Sequence, residues 1–248
     1  MMLDTILTPA EFTTLATRDL RETACVVFDV LRATSTFVTA LHHGAQAIIP
    51  VAEITEAIAL HRRQPEVLLG GERNGVRISA DGVVFDLGNS PREFMPEKVR
   101  GKTIVSTTTN GTRALRACAN AQTVLAASFL NLSATAEFLQ RNQFKIVLLV
   151  CAGTGEKTAL EDVLGAGALG DLLAGSARVV AAWSDATQVA LRAYQQAKPN
   201  LTEVLNSSEN ARRLLAIPEL RADVAFCQQR DAFPLVAQMG AGGAIRKV

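Results

Sequence analysis

The chain has 248 residues, 48% hydrophobic and 20% charged, a globular composition with enough apolar material for a sizeable core. Its 25 Lys and Arg against 24 Asp and Glu give no basic field for sequence-independent nucleic-acid binding, so any anion must be held locally. No apolar stretch is long enough to span a bilayer, and the start MMLDTILTPAEF lacks the regions of a secretory signal, so neither membrane nor export is expected and the compartment reads as cytoplasmic.

Apolar runs of strand length follow one another along the chain: ACVVFDV (24–30), AQAIIPV (45–51), EVLLG (66–70), KTIVS (102–106), TVLAAS (123–128) and KIVLLVCA (145–152). Several are apolar at nearly every position, as in strands buried on both faces of a parallel sheet. Helical patterns lie between them: STFVTALHHG ending in Gly44, ITEAIALHRR, TRALRACAN and NLSATAEFLQRN. Beyond Gly170 helices dominate, with DLLAG, DATQVALRAYQQA and ENARRLLAI. The alternation predicts an α/β fold: a layered, largely parallel sheet with helices on its faces and a helical C-terminal part packed against the sheet or over its edge. No linker or fixed-period repeat divides the chain, so residues 1–248 read as one domain. Cys25, Cys118, Cys151 and Cys227 stand far apart without a C-x-x-C pair, which indicates neither a disulfide framework nor a zinc site. His42, His43 and His61 fall on helical patterns without metal-ligand spacing.

Three strand-to-helix junctions carry more polar groups than a connection needs. VVFDVLRATST supplies Asp29, Arg32, Thr34, Ser35 and Thr36; STTTNGT (106–112) places five hydroxyl residues in seven positions; VLLVCAGTGEKTALED supplies Gly153, Thr154, Gly155, Glu161 and Asp162. Loops beyond the carboxyl ends of parallel strands converge on one crevice, where helix N-termini offer free N–H groups to an anion. Each junction also has a plain structural explanation. Thr34 or Ser35 can be an N-cap, and NGT a turn in which Gly111 takes a positive φ before a Thr112 cap. NSPRE (89–93) reads as a capping box: Ser90 caps, Pro91 opens the helix and Glu93 reaches back. Three such junctions together favour a ligand, and Asp29 most of all, because a carboxylate beyond a buried strand is costly unless paired or metal-bound.

The segment LLGGERNGVRISADGVVFDLGNSP (68–91) adds Glu72 and Arg73 directly after a double glycine, where backbone can approach a ligand and an arginine fork can grip it. For Arg77, Asp81 and Asp86 a solvated loop is as good a reading. CAGTGEKT (151–158) approaches two known motifs and meets neither. Glu156 stands where a phosphate loop needs glycine, and Lys157 stands where a cysteine phosphatase needs arginine. FDVLRAT has Leu31 where an aspartyl-phosphate phosphatase carries its second acid.

With FDVLRATST, GGERNG, GNSPREF, STTTNGT and CAGTGEKTALED in order, and ENARRLLAIPELRADVAFCQQRD after them, the chain resembles the ComB family, the 2-phosphosulfolactate phosphatases of coenzyme M biosynthesis, over essentially its whole length. The resemblance implies a single α/β domain and Mg²⁺-dependent hydrolysis of a small anionic phosphomonoester to a 2-hydroxy acid and phosphate. A homo-oligomer is compatible with it. Residue chemistry and resemblance together nominate Asp29, Arg32, Glu72 and Arg73 as catalytic. The nominated substrate contacts are Thr34, Ser35, Asn89, Ser90, Thr107, Thr109, Asn110, Gly111, Thr112 and Gly153. Asp29, with Glu161 or Asp162, is nominated to hold Mg²⁺. Two alternatives stay open at this stage: a metal-independent phosphatase using Cys151, and a non-catalytic phosphate- or sulfonate-binding protein.

Overall fold

Every long apolar run becomes a strand with side chains committed alternately to two different cores. The computed structural model describes residues 1–15, 17–175 and 182–248. Its strands are β1 (Met2–Ile6), β2 (Thr23–Phe28), β3 (Ala47–Pro50), β4 (Leu68–Arg73), β5 (Val76–Arg77), β6 (Ser79–Ala80), β7 (Val83–Val84), β8 (Thr103–Thr107), β9 (Thr123–Ala127), β10 (Ile146–Cys151), β11 (Ala182–Trp183), β12 (Ala237–Met239) and β13 (Ile245–Lys247). All but the small β6–β7 ladder join one sheet in the order β11-β1-β10-β2-β9-β12-β13-β3-β8-β4-β5. Two groups within it are parallel, β11-β1-β10-β2-β9 and β3-β8-β4. The antiparallel β12–β13 pair links them, touching β3 through the single partnership of Ile245 with Ile48.

The alternation of two-faced strands explains the layering. Val26 and Phe28 of β2, with Val147 and Leu149 of β10, pack against helices Leu160–Ala174 and Asp185–Ala197 through Leu164, Leu169, Ala190 and Tyr194. Their neighbours Cys25, Val27, Leu148 and Val150 face the other way, into a core shared with Phe37 and Val38 of helix Ala33–His42 and Leu115 of helix Gly111–Ala117. Ile48 of β3 and Ile104 of β8 enter that same core. Helix Ala33–His42 therefore lies on the face of the sheet across the β12–β13 pair that joins the two parallel groups. On the outer face of the second group, Leu69 and Val105 meet Ala57 and Ile58 of helix Ile54–Arg63. This is the expected largely parallel, layered α/β fold.

Three details depart from the sequence reading. The opening MLDTI forms β1, although Asp4 and Thr5 hide its strand character; Leu3 and Ile6 are buried, while Asp4 pairs with Arg18 at 2.8 Å. The C-terminal part is not wholly helical, because β12 and β13 return to the middle of the sheet; three-residue strands around a glycine-rich turn carry no usable period. NSPRE is a short 3₁₀ turn at Pro91–Glu93 without a side-chain cap. The Ser90 hydroxyl instead donates to Asp223 (2.7 Å), and Glu93 accepts from the Gly88 N–H (3.0 Å). Among the described residues no helix is long and apolar enough to cross a membrane.

Candidate active site

Asp29 follows the last residue of β2 and is buried in the wall of a cavity of about 220 Å³. The cavity wall also includes Arg32, Glu72, Asn74, Gly75, Asn89, Thr109, Asn110, Gly153, Thr154, Asn210 and Arg213. The ends of β2, β4, β8 and β10 thus meet there, as expected for loops beyond parallel strands.

The first junction is built around Asp29. Its Oδ1 accepts the N–H of Ala33 at 3.0 Å, which fixes the carboxylate at the start of helix Ala33–His42. Gly111 closes over it from the second junction. A Cβ added at Gly111 would lie 2.6 Å from the Ala33 Cβ and 2.7 Å from the Asp29 Oδ2. Glycine stands there because there is no room for a side chain; Gly111 does not take the positive φ that a turn reading would give it. Desolvation raises the Asp29 pKa to about 6, with the negative charges of Glu72 and Glu161 adding to the effect against hydrogen bonds from Ala33 and Arg32 that oppose it.

Arg32 is buried beside it, 4% exposed. Its Nη1 donates to the Asp223 Oδ2 at 2.7 Å, and its Nη2 approaches the Gly75 carbonyl at 3.5 Å. Asp223 is fully buried on helix Arg221–Cys227 and also accepts the Ser90 hydroxyl. Ser90 therefore serves the arginine from behind and does not line the cavity. Asn89, its neighbour, does line it, held by the Thr36 hydroxyl on the Asn89 carbonyl (2.9 Å).

Glu72 ties the second parallel group to the cavity. Its Oε1 accepts the N–H and the hydroxyl of Thr109, both at 3.1 Å, and its Oε2 accepts the Gly75 N–H at 2.7 Å. Arg73 turns away, donating to the Glu72 carbonyl (2.8 Å), the Ala52 carbonyl (3.3 Å) and the Thr107 hydroxyl (3.0 Å). Thr107 in turn donates to the Ala52 carbonyl at 3.0 Å. The surplus of hydroxyls in STTTNGT thus divides. Thr109 and Asn110 line the cavity, whereas Thr107 braces Arg73 and Thr112 donates to the Thr108 carbonyl at 3.0 Å. Thr34 and Ser35 are likewise spent locally, on the carbonyls of Asp29 (2.9 Å) and Val30 (2.8 Å).

At the third junction Gly153 adopts φ +68°, and any side chain there would strike Pro9 and the Lys157 carbonyl. Its carbonyl accepts the Asn110 side-chain amide, which joins the second and third loops. Asp162 is buried with both oxygens occupied: Oδ1 accepts the Val30 N–H (2.8 Å) and Oδ2 the Gly153 N–H (2.9 Å). Burial and the neighbouring charges of Glu161 and Asp29 push its pKa up. Glu161, also buried and not itself part of the cavity wall, accepts the Asn210 amide on Oε1 at 2.6 Å, and its Oε2 has no hydrogen-bond partner among the described residues. Among the described residues no three His, Cys, Asp or Glu side chains form a cage for a metal.

The other groups weighed in the sequence lie outside the cavity wall. Cys151 is fully buried in the core, away from the cavity wall, and burial, reinforced by the charge of Asp162, raises its thiol pKa. A buried protonated thiol is a poor nucleophile, which removes the support for the cysteine alternative. Arg77 pairs with Glu93 (2.5 Å), Asp81 sits at φ 51° in a turn, and Asp86 accepts the Leu69 N–H (2.8 Å). Asp223, Asn210 and Arg213 escaped sequence reading. They lie on short C-terminal helices whose only signal is the ENARRLLAIPELRADVAF block itself.

Carboxylates, arginines and loop amides gathered at the ends of parallel strands are the equipment of an enzyme acting on a phosphorylated anion. Comparison with known proteins makes the class specific. The profile of the family described as 2-phosphosulpholactate phosphatase matches residues 8–242. Proteins named "Probable 2-phosphosulfolactate phosphatase" are similar over nearly the full length. The one from Caldanaerobacter subterraneus subsp. tengcongensis is 40% identical over 227 residues, covering 91% of each chain. The one from Thermotoga petrophila is 43% identical over 222 residues, covering 90% of this chain and 91% of its own. The one from a Synechococcus species is 42% identical over 219 residues, covering 87% and 88%. The chain belongs to the 2-phosphosulfolactate phosphatase family, a family of phosphoric monoester hydrolases.

Proposed function

We propose that the protein hydrolyses 2-phosphosulfolactate, or a closely related small phosphomonoester, to the 2-hydroxy acid and inorganic phosphate at the Asp29 cavity. The observation that carries this reading is the convergence of Asp29, Arg32, Glu72, Asn110 and the Gly153 loop on one cavity, in a chain matched by the family from residue 8 to 242. Residues 1–248 act as a single phosphatase domain in this reading, supported by the central core that both parallel groups share. The compartment is the cytosol, in keeping with four free buried cysteines.

The residues fit a divalent cation. Asp29 is held at a pKa of about 6 by desolvation and by the charges of Glu72 and Glu161, and the Glu161 Oε2 is a buried acceptor without a donor among the described residues. A phosphate dianion brought to the carboxylates of Asp29 and Glu72, with Glu161 buried behind them, needs added positive charge. Mg²⁺ takes one or two carboxylates plus water and substrate oxygens, so the absence of a three-residue cage among the described residues is compatible with it. Asp29, on the cavity wall, would hold it, with Glu161 adding its charge and its free Oε2 from behind the wall; Asp162, with both oxygens on backbone amides, braces the loops instead. When bound, the ion supplies charge neutralisation for the phosphoryl oxygens.

The chain's own groups do the rest. Arg32, oriented by Asp223, offers its unpaired N–H donors to phosphoryl oxygens, where planar fork geometry matters. The Asn110 amide and the Gly153 loop fix the floor on which the anion rests. The Glu72 Oε1 already accepts two hydrogen bonds, so its Oε2, which accepts one, is the oxygen left to align water. Release of phosphate from 2-phosphosulfolactate by purified protein, with and without EDTA, tests the reading. Mg²⁺-restored turnover supports it; full activity in excess EDTA, or no turnover of any phosphomonoester, overturns it.

A further inference from the structure

Two arginines line the cavity, and they differ in what balances them. Arg32 is buried and held by Asp223 at 2.7 Å. Arg213, exposed at the rim on helix Glu209–Leu215, has no carboxylate within ion-pair distance among the described residues. It is nevertheless not adrift. Its Nη2 donates to the Asn210 Oδ1 at 3.1 Å, and the Asn210 amide is itself pinned at 2.6 Å to both the Glu161 Oε1 and the Thr154 Oγ1. One N–H of the five on the guanidinium is thus used to orient the group, and the others remain for a ligand. Every other charge on the cavity wall is an acid or is matched by one.

We infer that Arg213 is the seat for a second anionic group of the substrate, either a carboxylate on the carbon bearing the phosphoester oxygen or a sulfonate on the carbon next to it. This rests on the phosphatase reading above and deepens it: Asp29 and Arg32 address the phosphate, and Arg213 selects phosphoesters that carry another anion. A guanidinium fork suits either group, since both present two oxygens in one plane. Asn210 sets the fork's direction and links it to the acid cluster through Glu161.

Three substrates separate the possibilities: 2-phosphosulfolactate has both extra anions, 2-phospholactate only the carboxylate, and 4-nitrophenyl phosphate neither. For Arg213→Ala, the kcat/KM ratio of 2-phosphosulfolactate to 4-nitrophenyl phosphate is expected to fall at least 30-fold, mainly through KM, with partial recovery in Arg213→Lys. If the ratio of 2-phospholactate to 4-nitrophenyl phosphate falls equally, Arg213 reads the carboxylate; if it is unchanged, Arg213 reads the sulfonate. An equal loss on all three substrates, or no loss on 2-phosphosulfolactate, overturns the inference while leaving the phosphatase reading standing. Calorimetric binding of sulfolactate provides the readout that needs no turnover. A tenfold or greater weakening in Arg213→Ala supports the seat even if phosphate release fails, and unchanged or undetectable binding refutes it.

Discussion

Replacing Asp223 by Asn probes the cavity from behind, without touching its wall. The carboxylate is fully buried, Arg32 is 4% exposed, and the two meet at 2.7 Å. Removing the charge leaves a guanidinium buried beside a neutral amide, a change that costs about 3–5 kcal/mol when one partner of a buried pair is lost. At about 2–4 °C per kcal/mol for a chain of this size, the melting temperature should fall by roughly 6–20 °C. Arg32 would also lose its aim, and kcat/KM should drop about 100-fold at a temperature where the variant is still folded. Urea unfolding with parallel kinetics reads both effects. The triple variant Arg32→Met/Ser90→Ala/Asp223→Leu separates them, because an apolar cluster of similar volume that also removes the Ser90 hydroxyl bound to Asp223 should recover most of the stability and none of the activity. A loss below about 1 kcal/mol in Asp223→Asn, the value of a solvated surface pair, would refute the argument that this pair is desolvated.

Other outcomes follow from the same geometry. Asp29, with its pKa raised from 3.8 to about 6, binds its proton more tightly folded than unfolded; its favourable contribution is complete below pH 4 and is lost as pH rises through 6, about 3 kcal/mol in all. In EDTA, therefore, the stability of wild type relative to Asp29→Asn should fall between pH 4 and 7, and a flat difference in urea midpoints would contradict the burial of an uncompensated carboxylate. Gly111→Ala should destabilise by about 1–3 kcal/mol through overpacking against Ala33 and Asp29; a neutral change would show that the two helices can separate freely. Cys151→Ser should retain most of its turnover, and alkylating reagents should act slowly on wild type, since that thiol is buried; a trapped phosphocysteine would revive the cysteine route.

Much of the fold was legible because the strands are apolar on both faces. Residues such as Val26 and Val27, or Leu148 and Leu149, must each find a core on their own side, which already demands layers above and below a parallel sheet. What escaped were elements without a period: β1, with Asp4 and Thr5 in its middle, and the three-residue β12 and β13. At the site, Asp29, Arg32, Glu72, Asn89, Thr109, Asn110 and Gly153 come together on one wall. Thr34, Ser35, Thr107 and Thr112 were equally polar in sequence, yet their hydroxyls are consumed by nearby carbonyls. A sequence displays donors but not the acceptors that will claim them. Asp223 was invisible for the opposite reason: its partner Arg32 lies 191 residues away, and only the fold brings them together.

In the proposed reaction, Asp29 is the acid on which phosphoester hydrolysis depends. The most direct test is kcat/KM for 2-phosphosulfolactate at saturating Mg²⁺ in Asp29→Asn and in Asp81→Asn, whose acid sits in a turn outside the cavity. The expected result is a loss of about 10³-fold or more for Asp29→Asn and near-wild-type turnover for Asp81→Asn. Retention of more than about a tenth of wild-type activity by Asp29→Asn, a loss below about 1.4 kcal/mol, would show that hydrolysis does not depend on Asp29.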